Sequence, residues 1–302
     1  MVAIASVAIL TPSADAAFPG ENGRIAFVRE LTGCDPIIDP SCKPQSVIFT
    51  TKGGGGDQRQ LTHGAPPVAD ESPAFSPNGR KIAFDRFKGR PSEIYVMRSD
   101  GTHLRRLTHN NVTDIQPTFS PNGKRIAFAR LTPRGRHGDF EIILMHADGG
   151  HKQKLTDNRW EDAEPAFSPN GGRIAFTSSR KNGPSDLFTI RTNGTHERKL
   201  THNRVLDAQP SFSPNGRKIA LKSERRGESG IFVMKADGTH RRRLTKGQRS
   251  EPAFSPNGRM IAFQRDFFVN ESRRPEIFVM RADGSHQHDV TEGTVPDWGV
   301  RP

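Results

Sequence analysis

Trp, Tyr and Cys are scarce in this 302-residue chain: two Trp, one Tyr and two Cys. Apolar residues make up 32%, against the ~45–50% usual for globular proteins when glycine is counted among them. Acids are also short, 33 Asp+Glu against 45 Lys+Arg, so the formal net charge is +12 and the surface is cationic. Long hydrophobic runs are missing. The one apolar run that stands out, Val2 to Leu10, is too short for a membrane-spanning helix, which needs ~20 residues. Catalytic signatures are missing as well. There is no Gly-x-Ser-x-Gly, no His-Glu-x-x-His and no phosphate-binding glycine loop. These absences exclude a membrane-helix protein and the common hydrolase and nucleotide-binding classes.

What the chain has instead is 29 Gly, 23 Pro and 19 Phe. That mix disfavours a helical bundle and suits short strands joined by tight turns. Phe-Ser-Pro-Asn-Gly recurs at Phe75, Phe119, Phe167, Phe212 and Phe254, at spacings of 44, 48, 45 and 42 residues. Each copy runs into a strand of the Ile82-Ala83-Phe84 type, and a sixth such strand, Ile25-Ala26-Phe27, lies near the start. An alternating strand follows, such as Glu93-Ile94-Tyr95-Val96-Met97, then an Asx-Gly hairpin turn such as Asp100-Gly101. A basic strand ending in Leu-Thr closes the unit at Leu61, Leu107, Leu155, Leu200 and Leu244, with Val290-Thr291 in the last copy.

Four short strands per ~45 residues, six times over, predict an all-β, six-bladed β-propeller with four antiparallel strands per blade. We name the strands A to D from the channel outward. The expected blades span 70–108, 114–156, 162–201, 207–245 and 249–291, with 24–62 as the first. That first copy lacks an A strand. Thr294 to Gly299 aligns with the A strands, Pro296 on Pro73 and Trp298 on Phe75, so the C-terminal strand is expected to pair into blade one and close the ring. The Phe excess then reads as core, where sheets pack face to face.

Together, Pro-x-Phe-Ser-Pro-Asn-Gly-(Arg/Lys)-x-Ile-Ala-Phe, Ile-(Tyr/Phe)-Val-Met, Asp-Gly-Thr and Arg-Leu-Thr resemble the propeller repeat of the TolB family over residues 18–302. Asn78, Asn122, Asn170, Asn215 and Asn257 stand where that family usually has Asp, which contributes to the positive charge. TolB proper carries an α/β domain ahead of its propeller, through which it engages the Tol envelope machinery, and the residues before the first repeat are too few for one. The resemblance implies a binding or scaffold module for a protein or glycan partner of the cell envelope. Some propellers of similar repeat act on acidic oligosaccharides with a metal held by channel-facing His, which makes a lyase-like enzyme the alternative, and a scaffold without ligand the third reading.

The same resemblance fits an exported protein. Residues 1–16 match a secretory signal, with Ala14-Asp15-Ala16 as the cleavage site, although no Lys or Arg precedes Arg24; a buried N-terminal strand is the other reading. The mature chain would be residues 17–302, periplasmic or secreted, with no transmembrane segment, no specific nucleic-acid partner and a monomeric state. In an oxidising compartment Cys34 and Cys42 could close a nine-residue disulfide loop; a metal site would want more ligands than nearby Asp35 and Asp39.

The candidate binding residues follow from blade symmetry. Asp70, Asp114, Asp162 and Asp207 each stand three residues before the repeat Pro, with Arg249 in that place in the last copy. One residue before the Pro come Ser72, Gln116, Glu164, Gln209 and Glu251. Gathered round a channel, the Asp set with Glu164 and Glu251 is a partly acidic ring that a ligand or a hard cation such as Ca2+ would suit; equally, each Asp caps the turn before its own strand. His63, His109 and His202 follow Leu-Thr on connections leading to the channel mouth and are candidate ligands. His103, His151, His196, His240 and His286 repeat with the hairpin turn and read as solvated turn residues. The basic D strands, Arg241-Arg242-Arg243 above all, either protect blade edges or attract anionic polymers.

Overall fold

In the computed structural model the described residues are 20–31, 45–64, 67–89, 91–133, 138–180, 183–225, 228–269 and 272–302. The expected leader (1–16) and both cysteines, Cys34 and Cys42, lie outside them. The described chain forms six four-stranded antiparallel sheets. Blade one holds β1 (Asn22–Leu31), β2 (Gln45–Lys52) and β3 (Arg59–Gln60); blade two holds β4 (Val68–Phe75), β5 (Lys81–Lys88), β6 (Glu93–Arg98) and β7 (Arg105–Arg106). Blade three is β8 (Asp114–Phe119), β9 (Arg125–Thr132), β10 (Asp139–His146) and β11 (Gln153–Lys154). Blade four is β12 (Glu161–Phe167), β13 (Arg173–Ser179), β14 (Asp186–Arg191) and β15 (Arg198–Lys199). Blade five is β16 (Leu206–Phe212), β17 (Lys218–Arg225), β18 (Glu228–Lys235) and β19 (Arg242–Arg243). Blade six is β20 (Arg249–Phe254), β21 (Met260–Val269), β22 (Ser272–Arg281) and β23 (His288–Glu292), and the chain ends in β24 (Thr294–Val300).

The closing strand takes the expected register. β24 lies on the channel side of β1 in sheet order β24-β1-β2-β3, and Trp298 pairs with Ile25 as Phe75 pairs with Ile82. Successive A strands touch one another in a closed circuit, β24 to β4 to β8 to β12 to β16 to β20 and back to β24. They therefore line the channel, and the D strands form the rim.

Sequence repetition becomes packing repetition. The B-strand residues Phe27, Phe84, Phe128, Phe176, Leu221 and Phe263 are all fully buried, each contributing about 1.5–3 kcal/mol of apolar transfer. Several stack on the C strand of their own blade, Phe27 on Phe49 at 5.8 Å and Phe176 on Phe188 at 5.9 Å. Leu-Thr has a polar purpose too. Thr62, Thr108, Thr156, Thr201 and Thr245 accept the backbone N–H of Ile48, Ile94, Ile142, Leu187 and Ile231 through their hydroxyls, at 2.9–3.0 Å. The side chain thus prolongs the ladder past the two-residue D strand.

In the Ser-Pro-Asn-Gly turn the Ser76 hydroxyl accepts from Lys81 N–H at 2.9 Å and donates to Asn78 Oδ1 at 2.8 Å. Only the Oδ1 acceptor of Asn78 is used, so Asn for Asp changes the charge and leaves the turn intact. The basic D strands also tie blades together: Arg198 donates to the Asp237 carbonyl at 3.3 Å and Arg242 to the Asp283 carbonyl at 3.1 Å. A–B turns sit beside C–D turns on one face, where Ser99 N–H meets the Arg80 carbonyl. D–A and B–C connections share the other, where Asp114 N–H meets the Ser92 carbonyl.

Candidate functional site

The residue before each repeat Pro adopts a left-handed backbone: φ is 52° at Ser72, 57° at Gln116, 55° at Glu164, 58° at Gln209, 54° at Glu251 and 53° at Val295. At each of these positions the A–B register slips, as between Ala163 and Ala166. The bulge turns each N–H toward the previous blade. Glu164 N–H donates to Gln116 Oε1 at 3.0 Å, Gln209 N–H to Glu164 Oε2 at 2.9 Å, and Glu251 N–H to Gln209 Oε1 at 3.0 Å. In blade two, where Ser72 is too short, Asp85 of the B strand accepts from Gln116 N–H, and in blade six Gln264 of the B strand accepts from Val295 N–H. Asp297 of the closing strand accepts from Phe75 N–H at 2.7 Å. Gln116, Glu164, Gln209 and Glu251 thus form a buried relay that links blades three to six.

The aspartates are held within their own blades. Asp70, Asp114, Asp162 and Asp207 are all 0% exposed. Asp70 pairs cross-strand with Arg86, and Asp114 with Arg130 through two bonds of 2.7 and 2.8 Å. Asp162 accepts the Ser178 hydroxyl and the Asn158 amide, and Asp207 the Arg241 guanidinium and the Asn203 amide. The carboxylates of Asp70, Asp114 and Asp162 thus staple the A–B pair, Asp207 ties β16 to the residue before β19, and Glu251 is bonded to Gln209. His63, His109 and His202 are exposed on three separate connections. His63 lines a cavity of about 340 Å³ between blades one and two with Leu61, Val68, Lys88, Met97 and Leu104. Among the described residues no three His, Cys, Asp or Glu are grouped to hold a metal ion. The turn histidines are exposed, with φ of 44–56°.

One stretch of the inner wall opens into a cavity. Between blades four and five lies a crevice of about 250 Å³, lined by Glu161, Glu164, Thr177, Ser179, Gln209 and Lys222, among others. The cross-strand pairs here are Glu161 with Ser179 and Ala163 with Thr177. The matching pairs elsewhere are Glu71 with Asp85, Ile115 with Ala129 and Ser250 with Gln264. The Ile-Ala-Phe type residues next to them repeat from blade to blade, and these positions do not. Burial pushes the Glu164 carboxyl up to about 7, against the hydrogen bonds from the Thr177 hydroxyl and Gln209 N–H and the nearby Lys222. Burial also raises Glu161, with Asp139 adding to it. The crevice is therefore lined by an ammonium, hydroxyls and two carboxyls raised by burial. That set suits hydrogen bonding to a sugar ring or a polar side chain.

The TolB beta propeller domain model matches residues 55–300. The chain belongs to that family. TolB from Acinetobacter baumannii shares 24% identity, with 94% of this chain and 68% of that one covered and a TM-score of 0.76. A putative TolB from Agrobacterium tumefaciens gives 18% identity, coverage of 90% and 92%, and a TM-score of 0.68. An oligogalacturonate lyase in complex with manganese gives 13% identity, coverage of 90% and 74%, and a TM-score of 0.54. At these identities the likeness is one of fold. No curated protein matches the chain by sequence. Within this TolB-family propeller no helix of the described residues is long and apolar enough to cross a membrane.

Of the crevice residues, only Glu164 was among the sequence candidates. Glu161, Thr177, Ser179 and Lys222 escaped because they sit beside the repeat signature, not in it. Aligning the six copies and asking which inward columns fail to repeat would have found them.

Proposed function

We propose that this TolB-family propeller is an exported binding module, monomeric, that receives a protein or glycan partner of the cell envelope in the crevice between blades four and five. The observation that carries the reading is the local break in the repeat: a polar cavity beside the channel, with Lys222 and a carboxyl near neutrality, in a wall whose other positions serve ring closure. The family supports a binding role. Export rests on the match of residues 1–16 to a secretory leader.

The test compares the wild-type chain with Glu161→Ala/Lys222→Ala, two half-buried positions whose loss leaves the relay intact. Both proteins are presented to a glycan array and to envelope extract. A ligand bound by the wild type and weakened at least about tenfold in the variant, one factor of ten being about 1.4 kcal/mol, supports the crevice. An identical binding profile for the two proteins excludes it.

A further inference from the structure

Blades two to five satisfy the polar groups at the start of the A–B pair from within, and blade one does so through blade six. Asp70 faces Arg86, Asp114 faces Arg130, Asp162 takes the Ser178 hydroxyl, and Asp207 takes Arg241. In blade one Arg29 donates to the Thr291 hydroxyl at 2.6 Å and to the Glu292 carbonyl. Blade six breaks this pattern in three ways at once. Arg249 replaces the Asp; the Asn that donates to it in blades three to five (Asn110, Asn158, Asn203) is absent; and Leu244 to Arg249 is two residues shorter than Leu107 to Asp114.

Arg249 is the cross-strand partner of Arg265, so guanidinium opposes guanidinium where sister blades hold a salt bridge. Burial and the Arg265 charge depress Arg249 to about 10. Its Nε is buried with no hydrogen-bond partner among the described residues; its Nη1 donates to the Gln248 carbonyl at 3.1 Å. Arg265 is held over the rings of Phe267 and Phe278, 4.1 and 5.2 Å from their centres. Among the described residues neither arginine forms an ion pair, although Glu276 is the partner of Arg265 on β22 and Asp266 follows it. A carboxylate would bridge two such forks with charge-assisted bonds.

We propose that Arg249 and Arg265 form an oxyanion site on the face of the D–A and B–C connections, taking a ligand carboxylate in the place that Asp fills in blades two and three. The site uses no crevice residue, so it stands or falls apart from the function proposed above.

The test is thermal unfolding of the full chain in chloride, acetate or inorganic phosphate at matched ionic strength. Acetate raises the wild-type midpoint over chloride by about 2 °C or more, because it binds the native state alone. Arg249→Asp, which restores the sister-blade pair, melts above the wild type in chloride and loses the acetate response. The neutral Arg249→Gln also loses that response, which covers a failure of the Asp variant to fold. An acetate response equal in wild type and Arg249→Gln overturns the site. A response to phosphate larger than that to acetate overturns the carboxylate assignment in favour of phosphate.

Discussion

Gly149 shows how tightly single residues are constrained by their neighbouring blade. It turns the C–D hairpin with φ +91°, and an added Cβ would stand 2.7 Å from the Leu107 carbonyl oxygen of the preceding blade. Gly194 holds the same turn in blade four with φ +83°, but its nearest neighbour would be 3.7 Å away. Left-handed strain alone costs about 1–2 kcal/mol. Gly194→Ala is therefore expected to lose about that much in urea unfolding, and Gly149→Ala about 3 kcal/mol or more. Equal losses would mean that contact between blades adds nothing to the turn. Both turns were legible as Asx-Gly pairs in the sequence. The contact that separates them was not, since it depends on how close the two blades approach.

At the scale of the element, the A–B pair carries both the structural aspartates and the pH response. Glu164 is raised to about 7 and Asp297 to about 7, Asp85 and Asp162 to about 6, and Glu71 to about 8, in every case mainly by burial. A carboxyl raised on folding keeps a proton that the unfolded chain has released. Its contribution to stability is complete below the unfolded value near 4 and is lost as pH rises through the folded value. Between about pH 4 and 8 the five act in the same direction, so the chain is expected to melt higher at pH 5 than at pH 8. Glu164→Gln, the residue that Gln116 and Gln209 already provide in sister blades, narrows that gap and raises the midpoint at pH 8. A midpoint that climbs from pH 5 to pH 8 would contradict the assignment. Because the buried aspartates are already bonded to Arg, Ser and Asn, EDTA or added Ca2+ is expected to leave the midpoint unchanged. A rise with Ca2+ that vanishes in Asp114→Asn would instead put a cation at the ring.

At the scale of the whole molecule, closure depends on one strand. Trp298 packs with Ile25, Phe27 and Val279 in the cluster that joins the ends of the chain. Its indole Nε1 is buried without a hydrogen-bond partner among the described residues. The five other blades place Phe there, so Trp298→Phe is expected to cost less than about 1.5 kcal/mol and Trp298→Ala about 3–5 kcal/mol. Blade number, strand order and this closure were legible in the sequence because six copies repeat one packing problem. The crevice was not, because symmetry points to the positions that every blade shares, and those are bonded within blades or to the neighbouring blade. Asp114 looked like a ligand from its place in the repeat and is a staple to Arg130; Lys222 looked like nothing and lines the cavity.

The central claim, that a partner enters where the blades differ, is tested most directly by photo-crosslinking. A benzophenone side chain replaces Leu206, on the crevice wall, or Thr113, the matching position in blade three, and each protein is irradiated in envelope extract. The account predicts one discrete adduct from position 206 and none from position 113. Adducts of equal yield from both positions, or from neither, would contradict it.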